Sequence, residues 1–155
     1  MVRSIKSTRC LLEPSPPGQN TLTPIDISRG TNLKNVTFRC ESWDSAWVVL
    51  TLKTITPEHR NLRCISLDIP FTNYDITDPE DRKIVDWYEK VNPYTRWSEI
   101  DRILVQFSEL HPIRLELSCP RSETKRRVKD LAEYLFPEMT RRKIVDFVEK
   151  FSGSL

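Results

Sequence analysis

The sequence predicts an α/β fold in which parallel strands lie side by side and helices connect them. Three observations carry that prediction. Apolar residues alternate with polar ones in three short segments, segments with helical periodicity separate them, and the three segments share one spacing of apolar residues. Strands that alternate with helices favour parallel pairing, because each helix provides the crossover between two strands.

The shared spacing is L-x-x-L-x-L, and it starts at Leu33, Leu62 and Leu110. From Leu33 to Leu62 the step is 29 residues, within the roughly 20–29 residues of leucine-rich repeats. The second step is 48 residues, long enough for one more helix. The pattern predicts a short, irregular leucine-rich-repeat-like stack with helices on its convex side.

The elements follow in order from their periodicity and their breaks. Strands are predicted over residues 33–40, 62–69 and 112–119, with a further short strand near 4–12. Helices are predicted over 44–55, 78–91 and 97–110, then from Ser122 and again from Thr140, where Ile144, Val145, Val148 and Phe151 give a helical stripe. For 44–55 a strand is the alternative, since Val48, Val49 and Thr51 are β-branched. Asp78 and Pro79 form a typical helix start.

Length and composition predict one folded domain of 155 residues. We assign residues 1–24 to an irregular, proline-rich N-terminal segment and residues 25–155 to a single domain. The 24 basic and 22 acidic residues give a formal charge of +2, which does not favour nucleic acid or a membrane as partner. No apolar run approaches the ~20 residues that span a bilayer, and the N-terminus has no apolar signal core. A cytoplasmic or nuclear location is therefore expected.

No cofactor and no metal are expected. The four cysteines, at positions 10, 40, 64 and 119, have no C-x-x-C spacing, so they are interpreted as buried free thiols. The three glycines lie too far apart to form a phosphate-binding loop. The basic runs at 125–129 and 141–143 are interpreted as solvated helix faces.

Residues that point outward from the strands form the candidate binding surface. The L-x-x-L-x-L alignment places them in two rows across the sheet: Thr37, Ser66 and Arg114 in one, and Arg39, Asp68 and Glu116 in the next. Such rows mix donors, acceptors and both charges, as a protein-binding face does. The alternative is that the charged residues are cross-strand pairs that keep a solvated face soluble.

Four phrases resemble the C-terminal, leucine-rich-repeat-like part of uncharacterised fungal F-box-type proteins. They lie at residues 24–38, 52–62, 97–107 and 136–146 and together span most of the chain. The resemblance implies a substrate-holding repeat region in a ubiquitin-ligase component, whose F-box docks the adaptor of a cullin ligase. No F-box is recognisable here, so an adaptor contact is expected only if an F-box lies upstream.

The predicted function is a non-catalytic protein–protein interaction module, with the substrate-recognition part of an F-box-type component as its specific form. One alternative is a truncated fragment or paralogue without independent function. The other is a cysteine-dependent enzyme that uses Cys64 as nucleophile and His59 as base. The expected partner is another protein.

Overall fold

The fold is given by a computed structural model, which describes residues 9–13, 26–40, 43–68, 74–92, 95–110, 112–119 and 122–149. Within these ranges five strands form one sheet with the spatial order β1-β2-β3-β4-β5, and every neighbouring pair is parallel. The predicted α/β class with parallel strands is confirmed. The strands are β1 Arg9–Leu12, β2 Asn35–Arg39, β3 Cys64–Asp68, β4 Arg114–Cys119 and β5 Val145–Glu149.

Five helices are described, and each lies between two strands in the chain. They are α1 Ala46–Leu52, α2 Pro79–Lys90, α3 Trp97–Leu110, α4 Ser122–Leu135 and α5 Pro137–Arg141. The 44–55 segment is thus helical over most of its length rather than a strand. At α2 the predicted start is confirmed, since the Asp78 side chain accepts a hydrogen bond from the Glu80 N–H at 2.9 Å. None of the described helices is long and apolar enough to cross a membrane.

The strand order explains why the core lies on one side of the sheet. Parallel crossovers are right-handed, so strands that follow one another in a single direction place their connecting helices on the same face. That face is fully buried at alternate positions, while the positions between them are half-buried or exposed. Its buried side chains include Val36, Phe38, Ile65, Leu67, Leu115 and Leu117.

The predicted last helix is wrong, because residues 145–149 form the fifth strand. Helix α5 ends in a Schellman motif: Ile144 N–H donates to the Met139 carbonyl at 3.2 Å and Lys143 N–H to the Thr140 carbonyl at 3.0 Å. Lys143 has φ of 59°, the left-handed conformation that this motif requires. The chain therefore turns out of the helix and enters β5, and Thr140 lies inside α5 instead of capping a new helix.

The predicted register is correct for two strands and wrong for the third. Thr37 lies opposite Ser66 as expected, but Ser66 lies opposite Glu116 and not Arg114. Leu110 is the last residue of α3, so the L-x-x-L-x-L match that began there did not belong to a strand. A shift of two residues keeps every side chain on its face, so the alternation alone could not reveal it.

The sheet also begins earlier than the predicted domain boundary at residue 25. Strand β1 pairs with β2 from Arg9↔Asn35 to Leu12↔Phe38, and Leu12 is fully buried in the core. The expected strand near 4–12 is therefore present over residues 9–12, at one edge of the sheet, while residues 4–8 lie outside the described residues.

Candidate interaction face

The sheet surface opposite the helices is called the open face from here on. Its middle row runs across the sheet through Thr37, Ser66, Glu116 and Asp146, which lie opposite one another on β2, β3, β4 and β5. All four side chains are half-buried. All six predicted binding residues lie on this face: Thr37, Arg39, Ser66, Asp68, Arg114 and Glu116.

One end of the open face carries an arginine between two carboxylates. Arg39 Nη1 lies 3.2 Å from Glu13 Oε1, and Arg39 Nε lies 3.9 Å from Asp68 Oδ2. Half of the Arg39 side chain remains exposed. The contact with Asp68 is the cross-strand pair that the alternative interpretation predicted. Pairs this exposed contribute little to folding stability, so Arg39 remains available to a partner.

The other end has the opposite arrangement, because two carboxylates lie side by side. Glu116 lies opposite Asp146 in the register of β4 and β5, and like charges at such positions repel. Arg114 offsets that repulsion by donating from Nε and Nη2 to both oxygens of Asp146. Glu116 instead accepts a hydrogen bond from Ser66 Oγ at 3.1 Å.

The paired geometry of Arg114 and Asp146 affects both titrations. The hydrogen bond from Arg114 lowers the pKa of Asp146, and the same contact raises the pKa of Arg114. Both groups therefore stay charged across the physiological range. Among the side chains that the structure describes on the open face, four carboxylates (Glu13, Asp68, Glu116 and Asp146) lie with the guanidinium groups of Arg39 and Arg114, so their charge is mixed with an acidic excess.

Cys64 lies on the open face beside the middle row. Its Sγ is 3.7 Å from Ser66 Oγ, and burial raises the pKa of the thiol to about 11. A nucleophilic cysteine needs a lowered pKa and a neighbouring base. The environment of Cys64 acts in the opposite direction.

His59, the base that the enzyme alternative requires, is fully buried and bonded to the backbone. Its Nδ1 accepts from Thr56 N–H at 3.0 Å, so its Nε2 carries the proton and donates to the Ile27 carbonyl at 2.9 Å. The Nε2 bond ties the 26–33 turn to the loop before β3, and the Nδ1 bond closes that loop on itself. His111 lies outside the described residues.

The described basic residues of the two basic runs are exposed, whereas three of the four tryptophans are buried. Arg126, Arg127 and Lys129 on α4 are exposed, as are Arg141, Arg142 and Lys143. Three tryptophans are buried beside the helices, at 43, 47 and 97, while Trp87 is half exposed.

Sequence reasoning missed Asp146, which completes the middle row. Residues 145–149 read Val-Asp-Phe-Val-Glu, and their alternation up to Phe147 was the available signal. The helical spacing of Ile144, Val145 and Val148 hid it. Among the described residues, no group of three His, Cys, Asp or Glu side chains could hold a metal ion.

Comparison of the chain with protein-family models, with curated proteins and with solved structures gives no match. The resemblance to F-box-type repeat proteins therefore stays a prediction from the sequence.

Proposed function

We propose that this protein is a non-catalytic interaction module whose open face binds another protein. One observation carries the proposal. The all-parallel sheet of this protein has helices on one face, and its other face presents a row of polar, partly exposed side chains. Parallel sheets are usually covered on both faces. Stacked repeat proteins are the main exception, and they bind partners on the exposed sheet face.

The stepwise strand order supports a leucine-rich-repeat-like stack as the architecture behind this function. Each strand is followed in space by the next strand in sequence, as in a solenoid whose repeats contact only their neighbours. The 29-residue offset between β2 and β3 recurs in their pairing, since Asn35 lies opposite Cys64.

The chemistry of the open face suits a polar protein surface. Thr37 and Ser66 offer hydroxyl groups, and Arg39 and Arg114 offer guanidinium groups that match carboxylates. The contact between Arg39 and Asp68 is long, at 3.9 Å, and exposed, so it is weak. Charged groups of a partner can therefore replace it with ion pairs of their own. Mixed charges in fixed rows provide specificity more than raw affinity.

The test is a triple charge reversal on the open face, Arg39→Glu, Asp68→Lys and Glu116→Lys. The matched control is Arg102→Glu, an exposed position on α3. We expect both variants to fold like the wild type and the control to keep its partners. The triple variant should lose at least one protein that quantitative co-purification from cells finds with wild type and control. Identical partner sets for all three would contradict the proposal.

A more specific form of this function is the substrate-recognition part of an F-box-type ubiquitin-ligase component. The four sequence segments that resemble F-box-type repeat proteins support this form. It predicts that the adaptor of a cullin ligase co-purifies only with a chain that carries an F-box upstream of Met1. Adaptor binding by residues 1–155 alone would contradict this form.

The competing proposal is a fragment or paralogue with no independent function. It predicts a broad thermal transition and association that grows with concentration, because stacks need about three repeats and caps at their ends. A sharp transition that is independent of concentration would exclude it. We also propose a cytoplasmic or nuclear setting, since the free thiols of Cys40 and Cys64 suit a reducing compartment.

A further inference from the structure

Helix α2 presents apolar side chains on two opposite sides. Val85 is fully buried, but Ile84, Trp87 and Val91 are 42%, 51% and 65% exposed. The helical spacing of Ile84, Val85, Tyr88 and Val91 is that of a single inward stripe, but Ile84 and Val91 face outward. The outward set forms its own stripe, because spacings of three, four and seven residues share one side of a helix.

The body of the protein holds this helix in place from the other side. Tyr88 stacks on Trp43 with ring centroids 5.3 Å apart. Asp86 accepts a hydrogen bond from the Tyr134 hydroxyl, and Glu89 Oε1 accepts one from Ser98 N–H at 2.9 Å. The outward stripe is therefore presented on a fixed element. It does not need to fold on binding.

The surface of the stripe suits a helical partner. A shallow groove of about 270 Å³ runs beside Trp87, lined by Glu80, Lys83, Ile84 and Tyr88. Tryptophan and tyrosine are enriched among the residues that contribute most to binding at protein interfaces. Apolar anchors at i, i+3 and i+7 are the pattern by which one amphipathic helix packs against another.

Charge next to the stripe selects the kind of partner. Lys83 and Lys90 are seven residues apart, so they lie along the same flank of the stripe. Their contacts with Glu80 at 3.3 Å and Asp86 at 3.8 Å are exposed ion pairs within the helix. Such pairs are weak, so both ammonium groups can still meet an acidic partner.

The same flank argues against a second copy of this chain as the occupant. In a symmetric antiparallel pair of α2 helices, Ile84 would lie near Trp87 of the other copy. The two-fold axis would then bring the Lys83 and Lys90 flanks of both copies together. Like charges at such positions destabilise the contact.

We propose that the outward side of α2, formed by Ile84, Trp87 and Val91 with Lys83 and Lys90 on one flank, docks an amphipathic helix of another protein that carries acidic residues along the facing flank. This surface is separate from the open face. It adds a second docking site to the module, so it does not depend on the function proposed above.

The test uses two designed helical peptides that share apolar residues at i, i+3 and i+7 and differ only along one flank, glutamate in one and lysine in the other. Fluorescence anisotropy with the full chain should show at least tenfold tighter binding of the glutamate peptide. Trp87→Ala should weaken that binding at least tenfold, while Val148→Ala, an exposed apolar residue on β5, should not change it. The double variant Lys83→Glu, Lys90→Glu should reverse the preference.

Circular dichroism checks that each variant is folded before binding is measured. Equal binding of the two peptides, no binding of either, or binding that survives Trp87→Ala would each overturn the proposal. Sedimentation should show a monomer. A dimer that Trp87→Glu dissociates would show that a second copy occupies the stripe and would also overturn it.

Discussion

The two faces of the sheet share the same strands and differ at every second residue. On β2 and β3 the residues facing the helices, such as Phe38 and Leu67, are fully buried, while Thr37 and Ser66 between them are half-buried. Burial of a large apolar side chain contributes about 1.5–3 kcal/mol to stability. Exposed ion pairs such as Arg39 with Asp68 contribute little. A single step along a strand therefore separates residues that stabilise the fold from residues of the proposed binding face.

The largest effect should come from opening the buried face. Phe38→Ala removes a fully buried ring that packs against Trp47 with centroids 5.7 Å apart. We expect the free energy of unfolding to fall by about 3–5 kcal/mol. Thr37→Ala, one residue away on the open face, should cost less than about 1 kcal/mol. Urea unfolding of both variants makes the comparison, and similar losses would contradict the division between the faces.

The second effect compares thiols on the two faces. Burial raises the pKa of Cys64 to about 11 from an ordinary 9.0. It also raises the pKa of Cys40, which is buried in the hydrophobic core. Because the thiolate reacts, Cys64 should label about 100-fold more slowly than an ordinary thiol at neutral pH. Cys40 should label still more slowly. Mass spectrometry of a timed alkylation measures both, and fast labelling of Cys64 would revive the enzyme alternative.

Smaller still is the effect of one buried carboxylate on the helix side. Asp101 accepts hydrogen bonds from Glu138 N–H at 3.1 Å and Met139 N–H at 3.0 Å, so it caps α5. Asp101→Ala should lower the free energy of unfolding by about 1–2 kcal/mol.

Its pH dependence gives a second readout. Burial raises the pKa of Asp101 in the folded protein. The stability that protonation of this carboxyl contributes is therefore fully present below pH 3.8, and it declines as the pH rises through the folded pKa. That decline should be missing from the pH profile of Asp101→Ala unfolding. An unchanged profile would show that Asp101 is not responsible.

The smallest effect on stability should come from the open-face pair of Arg114 and Asp146. Arg114→Gln should leave the free energy of unfolding nearly unchanged, because exposed pairs contribute little. It should raise the pKa of Asp146, which the Arg114 hydrogen bond now holds below 3.8. In the wild type this contribution is present above 3.8 and is lost as the pH falls through the lowered value. Carboxyl NMR titration measures the pKa of Asp146. An unchanged pKa in Arg114→Gln would contradict the hydrogen-bonded pair of Arg114 and Asp146.

The alternation of apolar residues predicted much of the fold. Alternation located β2, β3 and β4, and helical spacing located the two longest helices, α3 and α4, which precede and follow β4 in the chain. Alternation also placed Thr37, Arg39, Ser66 and Asp68 on one face, with the pairing that the structure has. These predictions succeeded because periods of 2.0 and 3.6 differ clearly over several turns.

Two features could not be predicted because their signals were ambiguous. In the last segment, Ile144, Val145 and Val148 fit a helix as well as a strand. The decision comes from the Schellman motif at Lys143, a lysine where glycine is usual. At β4, Leu110 supplied a false first leucine from the end of a helix. As a result, Asp146 was missed and Arg114 was assigned to the wrong row.

The most direct test of the division between faces is cross-linking from one position on each side. A photo-reactive amino acid at position 37 on the open face should form an adduct with another protein in cells, whereas the same residue at position 102 on α3 should form little or none. The adduct at position 37 should also disappear when the charges of Arg39, Asp68 and Glu116 are reversed. Equal cross-linking from both positions, or none from position 37, would contradict the account.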